Sequence, residues 1–413
     1  MKRIFAGLAA ALLALLLAAC NSSGVDLGSA AAAPPDVAVE AGDGSATLTF
    51  SAAPGVDYWI FLAPTNGAEI TTGNWTTFVG ARSVIKATSP QLVTGLANGT
   101  AYAFTMNGRQ GNGPGGNGSP SITITPRLAG ASWKTGAPLA GGDLYGSTFG
   151  GSFVAVGAGG RIFSSTDAKA WTAQQSPVGT DLRAAVYGGN YVAVGDAGQV
   201  LYSADAVTWT LAPAVTGSNL KGVTTTGGGT YVAVGSGGTI IVSSDGGNTW
   251  KTVASGTSRD LNAIGYGQIG VNAGFIAVGA GGTILTSVDT TTWTPAAQTT
   301  TADLYGVAYA APLINSVSTL TLVAVGANGS ILVSHDGSSW AMGSTGSSAR
   351  LNAVSYNTRF VIVGDAGGAL TSDDGGSHWT VQDTKSSGNL FALTHNFYGY
   401  LAVGAGGANL TGF

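Results

Sequence analysis

The phrase YVAVGSGGTIIVSSDGGNTW at residues 231–250 belongs to a repeat that restricts this chain more than any other feature. A large apolar residue opening a VAVG-like core occurs at Phe153, Tyr191, Tyr231, Phe275, Leu322, Phe360 and Tyr400, at spacings of 38, 40, 44, 47, 38 and 40. A period of about 40 residues with four short strands per copy is the signature of a propeller, in which no single copy can bury its own apolar face. Two further landmarks keep the same register. A leucine falls at Leu144, Leu182, Leu220, Leu261, Leu304, Leu351 and Leu390. A tryptophan stands eleven residues before each of them, at Trp133, Trp171, Trp209, Trp250, Trp293, Trp340 and Trp379. The first tryptophan precedes the first leucine, and none follows the last VAVG core. The segment around Ala131 to Lys134 is therefore expected to complete the sheet that ends at Phe413, closing seven four-stranded blades with N-terminal and C-terminal strands and removing the exposed edges of an open array.

Local chemistry agrees with that reading. The residue two beyond each leucine is Gly or Ala, as expected where inner strands converge on an axis and leave little volume. The Gly-rich stretch after each VAV fits a tight hairpin between second and third strands. No helix and no Lys-Ser/Thr follows it, which excludes a phosphate-binding loop.

Ser243, Asp245, Gly247, Thr249 and Trp250 complete the pattern S-x-D-x-G-x-T-W, and Ser372, Asp374, Gly376 and Trp379 repeat it with His378 in place of Thr. Shorter versions carry Asp167, Asp205, Asp289 and Asp336. These residues resemble the Asp-box, or BNR, repeat of sialidase-like propellers. An aspartate there can accept backbone N–H groups inside its turn while the Trp ring is buried between strands. Six such carboxylates spread around a ring cannot converge on one substrate, so their expected role is structural. The resemblance implies a sialidase site only with a Tyr and Glu pair. Residues 128–413 contain no Glu, since Glu40 and Glu69 both precede them. A pair of aspartates among Asp143, Asp181, Asp260 and Asp303 leaves a glycosidase open as the alternative, although one such residue per copy suggests turn capping. The dispersed His335, His378 and His395 give no zinc spacing and no triad. No metal and no cofactor is expected.

What remains for function is the rim around the axis. The position after each leucine varies as Tyr145, Arg183, Lys221, Asn262, Tyr305, Asn352 and Phe391, with Arg161, Arg259 and Arg350 as further candidates. This aromatic, basic and amide mixture suits a polypeptide or a glycan. The strands and boxes over residues 128–413 also resemble the propellers of the photosystem II assembly and stability factor family, which implies binding of a protein client without catalysis.

The N-terminal part carries a different message. MKRIFAGLAAALLALLLAAC has a basic pair, an apolar run and small residues before Cys20, the layout of a secretion signal over residues 1–19. Leu17, Ala18, Ala19 and Cys20 resemble a bacterial lipobox, which implies that Cys20 becomes the lipidated first residue. As the only cysteine, it has no disulfide partner within the chain. Asn21 after it resembles the outer-membrane sorting signal of Gram-negative lipoproteins, which implies an exported, lipid-anchored protein. Loss of Lys2 and Arg3 leaves fourteen basic against twenty acidic side chains, so nucleic acid is not an expected partner.

Residues 20–34 read as a lipidated cysteine and flexible tether. Residues 35–127 alternate with period two between Gly, Pro and Asn, a β-sandwich pattern. Leu96, Asn98, Gly99, Thr100 and Tyr102 within it resemble the tyrosine corner of a fibronectin type III domain. Phe50 stands where that family commonly has Trp, and Trp59 is expected to fill the volume.

The sequence thus predicts an all-β chain, a fibronectin type III-like sandwich followed by a seven-bladed propeller. Its expected function is that of a non-catalytic, lipid-anchored binding or assembly protein of the cell envelope, taking an envelope protein or polysaccharide as partner.

Overall fold

The computed structural model describes residues 28–314, 317–396 and 399–413. The expected signal segment 1–19 and Cys20 lie outside them. The chain divides into two compact units, Met1–Arg127 and Leu128–Phe413. Regular structure among the described residues is strand, relieved only by short 3-10 turns, and no helix there is long and apolar enough to cross a membrane.

The first unit is a two-sheet β-structure. The strands Val56–Pro64 and Tyr102–Gln110 pair along their whole length, flanked by Arg82–Ala87, Ile122–Ile124 and Ser29–Ala31. Ala38–Gly42, Ser45–Thr49 and Gln91–Thr94 form the second sheet. Alternate residues of both, among them Leu48, Ile60, Leu62, Phe104 and Met106, fill one core. Tyr102 accepts the Ala97 N–H at 3.1 Å, a corner bond that fixes the turn before its strand. Two expectations need correction. Ser29–Ala31, within the expected flexible tether 20–34, pairs with Gly108–Gln110, because that strand would otherwise leave its backbone groups unpaired at an open edge. Tyr58, not Trp59, enters the core and meets Phe50 edge-on at 5.2 Å. Strand alternation turns Trp59 to the opposite face, where Arg109 stacks on it at 3.7 Å.

Among the described residues of the second unit the repeat becomes seven four-stranded antiparallel sheets, the first six in chain order and the seventh completed by the unit's first strand. The first contains Leu144–Phe149, Phe153–Gly157, Ile162–Ser165 and Thr172–Gln174. The last combines Leu390–His395, Tyr400–Gly404 and Asn409–Gly412 with Trp133–Thr135, Gly412 lying opposite Trp133. The VAVG strands are buried on both faces, since each lies between two neighbouring sheets. Val154 and Val156 thus share a cluster with Tyr191, Leu201 and Trp209 of the following sheet, and Leu144 and Phe153 share one with Leu401 and Val403 of the last. Buried tyrosines satisfy their hydroxyls across these seams: Tyr191 donates to the Gly150 carbonyl and Tyr231 to that of Asn190, both at 2.8 Å. The small residue on each inner strand has a steric cause. A Cβ on Gly146 would stand 2.8 Å from the Ala184 Cα, and one on Gly222 3.0 Å from that of Ala263.

Candidate binding site

The seven rim positions share a backbone feature that their residue types do not reveal. In every sheet the pairing register slips between the inner-strand leucine and the small residue two positions on, so Leu144 faces Gly157 while Gly146 faces Val156. The same slip recurs at Arg183, Lys221, Asn262, Tyr305, Asn352 and Phe391. Each rim residue is therefore the extra residue of a β-bulge, a device that re-aims a side chain out of its ladder. All seven line one cavity of about 370 Å³ on the face of the Gly-rich turns, together with Asp196, Asn219 and Arg350.

Polar groups around this cavity are largely paired with each other. The Arg183 guanidinium contacts Asp196 through two bonds of 2.7 and 3.0 Å, reaches Asp181 at 3.0 Å and covers the Tyr145 ring at 4.6 Å. The hydrogen bond to Asp196 raises the Arg183 pKa. Lys221 donates to Asp260 at 2.7 Å and to Asn262 Oδ1 at 3.1 Å, and its bond holds the Asp260 carboxyl below its ordinary value. Tyr145 and Phe391 adjoin with ring centroids 5.8 Å apart. Burial pushes the Tyr145 and Tyr305 hydroxyls up, so both remain neutral donors.

Arg161 and Arg259 stand apart from this group. The Arg161 guanidinium packs on the Gly141–Gly142 backbone. Arg259 donates to the Gly281 carbonyl at 2.9 Å and borders a separate cavity of about 300 Å³ over Trp293.

The candidate acid and base carboxylates are engaged with backbone. Asp143, Asp181, Asp260 and Asp303 accept the N–H groups of Gly406, Gly159, Gly237 and Gly281 at 2.9, 2.8, 2.8 and 2.7 Å. Each ties the start of an inner strand to the turn of the sheet before it. On the other face, the box aspartates bond inside their own loops. Asp245 accepts from Thr249 Oγ1 at 2.6 Å, its N–H at 3.0 Å and Ser243 Oγ at 2.8 Å, while the Trp250 indole donates to Gly247 O at 2.9 Å. Asp167 and Asp374 are held the same way by backbone N–H groups of Ala170 and His378. In Asp205, Asp289 and Asp336 backbone N–H donors, and in Asp245 the Thr249 hydroxyl, lower the pKa to about 2.

Among the described residues, no His, Cys, Asp and Glu group could hold a metal ion. One contact escaped sequence reasoning: Ser355 Oγ lies 2.9 Å from His395 Nδ1. The ring stands where five other repeats have Phe or Tyr and one has Thr225, and it packs edge-on to Tyr400 at 5.9 Å. No carboxylate among the described residues bonds to this histidine, so the pair lacks the third member of a nucleophilic triad.

No protein-family model and no curated protein sequence matches the chain. Among solved structures it is similar to YCF48 from Cyanidioschyzon merolae, at 20% identity and a TM-score of 0.52, over 68% of this chain and 98% of that one. It is likewise similar to YCF48 bound to D1 peptide, at 18% identity and a TM-score of 0.55, over 68% of this chain and 96% of that one. These likenesses show the fold: the second unit is a β-propeller.

Proposed function

We propose that the chain is a non-catalytic binding or assembly protein of the bacterial cell envelope that engages a protein or glycan through the axial face of its propeller. The observation that carries this reading is the bulge at all seven rim positions, which turns side chains of mixed chemistry toward one open cavity. Aromatic, amide and cationic groups held on rigid strands are suited to recognition, whereas the four aspartates of the glycosidase alternative already serve as turn caps. The solved YCF48 structure with D1 peptide offers a precedent for a polypeptide ligand on a propeller of this kind.

In the same reading, Cys20 carries the lipid anchor, at the outer membrane of a Gram-negative cell. Residues 35–127 act as a fibronectin type III-like spacer, a reading supported by the Tyr102 corner bond. The propeller is a seven-bladed ring, closed by the pairing of Trp133–Thr135 with Leu410–Gly412.

The test is capture from detergent-solubilised envelope extract by full-length protein and by a Tyr145→Ala, Phe391→Ala double variant. Specific partners retained by the parent and lost by the variant are expected. Equal retention would remove the axial face from the function. Release of reducing sugar from a polysaccharide panel, abolished by Asp181→Asn, would replace the binding reading with the glycosidase one.

A further inference from the structure

Six junctions between successive propeller sheets are closed by one device. The residue before the inner-strand leucine is Asp or Asn, and its Oδ1 accepts the N–H at the middle of the preceding Gly-rich turn. The distances lie between 2.7 and 2.9 Å at Gly159, Ala197, Gly237, Gly281, Ala366 and Gly406. In each turn a right-handed residue precedes a left-handed one, an arrangement that cups an oxygen.

The seventh junction departs from this rule. Asn328 has the same left-handed conformation, φ 56 and ψ 34, but the residue that should reach it is Arg350. Among the described residues nothing accepts the Asn328 N–H. The exposed Arg350 guanidinium instead lies flat over the Tyr305 ring at 3.7 Å, with no carboxylate bonded to it among those residues.

A second irregularity lies in the cavity that Arg350 lines. Asn352, 6% exposed, donates through Nδ2 to Asp365 Oδ1 at 2.9 Å and to the Leu390 carbonyl at 2.8 Å, which fixes the orientation of its amide. Among the described residues its buried Oδ1 has no partner. Two repeats earlier, the equivalent Asn262 Oδ1 receives the Lys221 ammonium. Beside Asn352 the place of Lys221 is taken by Tyr305, whose hydroxyl faces Asp303 at 3.5 Å. One junction therefore lacks both an oxygen that its six sisters contain and a donor that a sister supplies.

Building on the binding reading, we infer that this junction takes a carboxylate from outside, the Asp side chain of a partner polypeptide. One carboxylate oxygen accepts the Asn328 N–H, as an Asx oxygen does in the sister turns. The other faces the Arg350 fork, and a backbone N–H of the same segment donates to Asn352 Oδ1. The neighbouring Asp303 and Asp365 are bonded to Gly281 N–H and to Asn352. Their remaining charge disfavours an anion that brings no donor of its own, which selects for a peptide carboxylate over a simple ion.

The test is titration of ¹⁵N-labelled full-length protein with N-acetyl-Asp-N-methylamide, followed at the Asn328 amide. A saturable downfield shift is expected, at least tenfold weaker with the Asn analogue. Acetyl-Gly-Gly with a free C-terminal carboxylate forms the second arm. A stronger response to it would keep the site and assign the carboxylate to a chain terminus. Arg350→Asp rebuilds the internal cap of the sister junctions. This variant should melt no lower than the parent and lose the titration, whereas a purely structural Arg350 would cost stability. Absence of a saturable Asn328 shift in the parent, or the same shift in Arg350→Asp, overturns the inference. Capture of envelope partners that survives Arg350→Asp would overturn it too, while leaving the broader axial-face reading intact.

Discussion

Replacing Trp133 by Ala tests whether the first strand of the propeller unit belongs structurally to its last sheet. Trp133 is 8% exposed, against 7% for Trp250 in an ordinary sheet of the repeat. It packs in a cluster with Leu390, Tyr400 and Leu410. Its indole donates to the Gly130 carbonyl at 3.0 Å, as the Trp250 indole does to Gly247. Truncating a buried Trp costs about 3 to 5 kcal/mol, and the lost indole bond adds about 1 kcal/mol. For a unit of this size that corresponds to a fall in melting temperature of roughly 7 to 10 °C. The pairing partner of Thr135 is Leu410, so nothing near in sequence can compensate. Scanning calorimetry of parent, Trp133→Ala and Trp250→Ala should show matching falls for the two variants. Deleting residues 128–138 should destabilise further or cause aggregation, while removing residues 35–120 should leave propeller melting nearly unchanged. If Trp133→Ala melts with the parent while Trp250→Ala falls, Trp133 contributes as a linker residue and its strand does not close the last sheet.

The box aspartates predict acid sensitivity. Four of them have folded pKa values of about 2, below the usual value near 3.8, so their stabilisation is complete above about pH 4 and is lost as pH falls toward 2. Melting temperature should drop over that window, and less steeply in Asp245→Asn with Asp336→Asn; an unchanged slope would count against the assignment. Cys20→Ala should convert a detergent-partitioning protein into an aqueous one, since the proposed anchor is a lipid; equal partition of variant and parent would refute lipidation.

Much of the propeller was legible because its landmarks are sterically demanding. Leu, Trp and the small inner residue each answer to a fixed volume, so spacing alone placed them. The bulge was not legible, because its extra residue is free to be Tyr, Arg, Lys, Asn or Phe and no side-chain type marks it. Spacing placed the seven residues that line one cavity wall, whereas Arg259 bonds to the Gly281 carbonyl and Arg161 packs on Gly141 and Gly142, both outside that wall. Nothing in its residue type separates Arg350 from those two; what sets it apart is that the six sister positions are Asp or Asn caps. In the first unit, alternation fixed which residues face inward but not their phase, and the exchange of Trp59 for Tyr58 is a one-residue error of that kind.

The bulges also bear on how this surface can change. A residue expelled from its ladder can be replaced without altering the pairing of its neighbours. Leucine before it and Gly or Ala after it keep the strand in place. A rim position that touches no other is thus close to an independent variable on a common frame, and its substitution effect on stability should be small and nearly additive with the rest. Tyr305 can be exchanged alone on these terms. Lys221 and Asn262, joined by a bond, must be altered as a pair, and so must Tyr145 with its ring neighbours Phe391 and Arg183. Recombining libraries along that division would redesign the specificity of the face while the scaffold beneath it stays as it is.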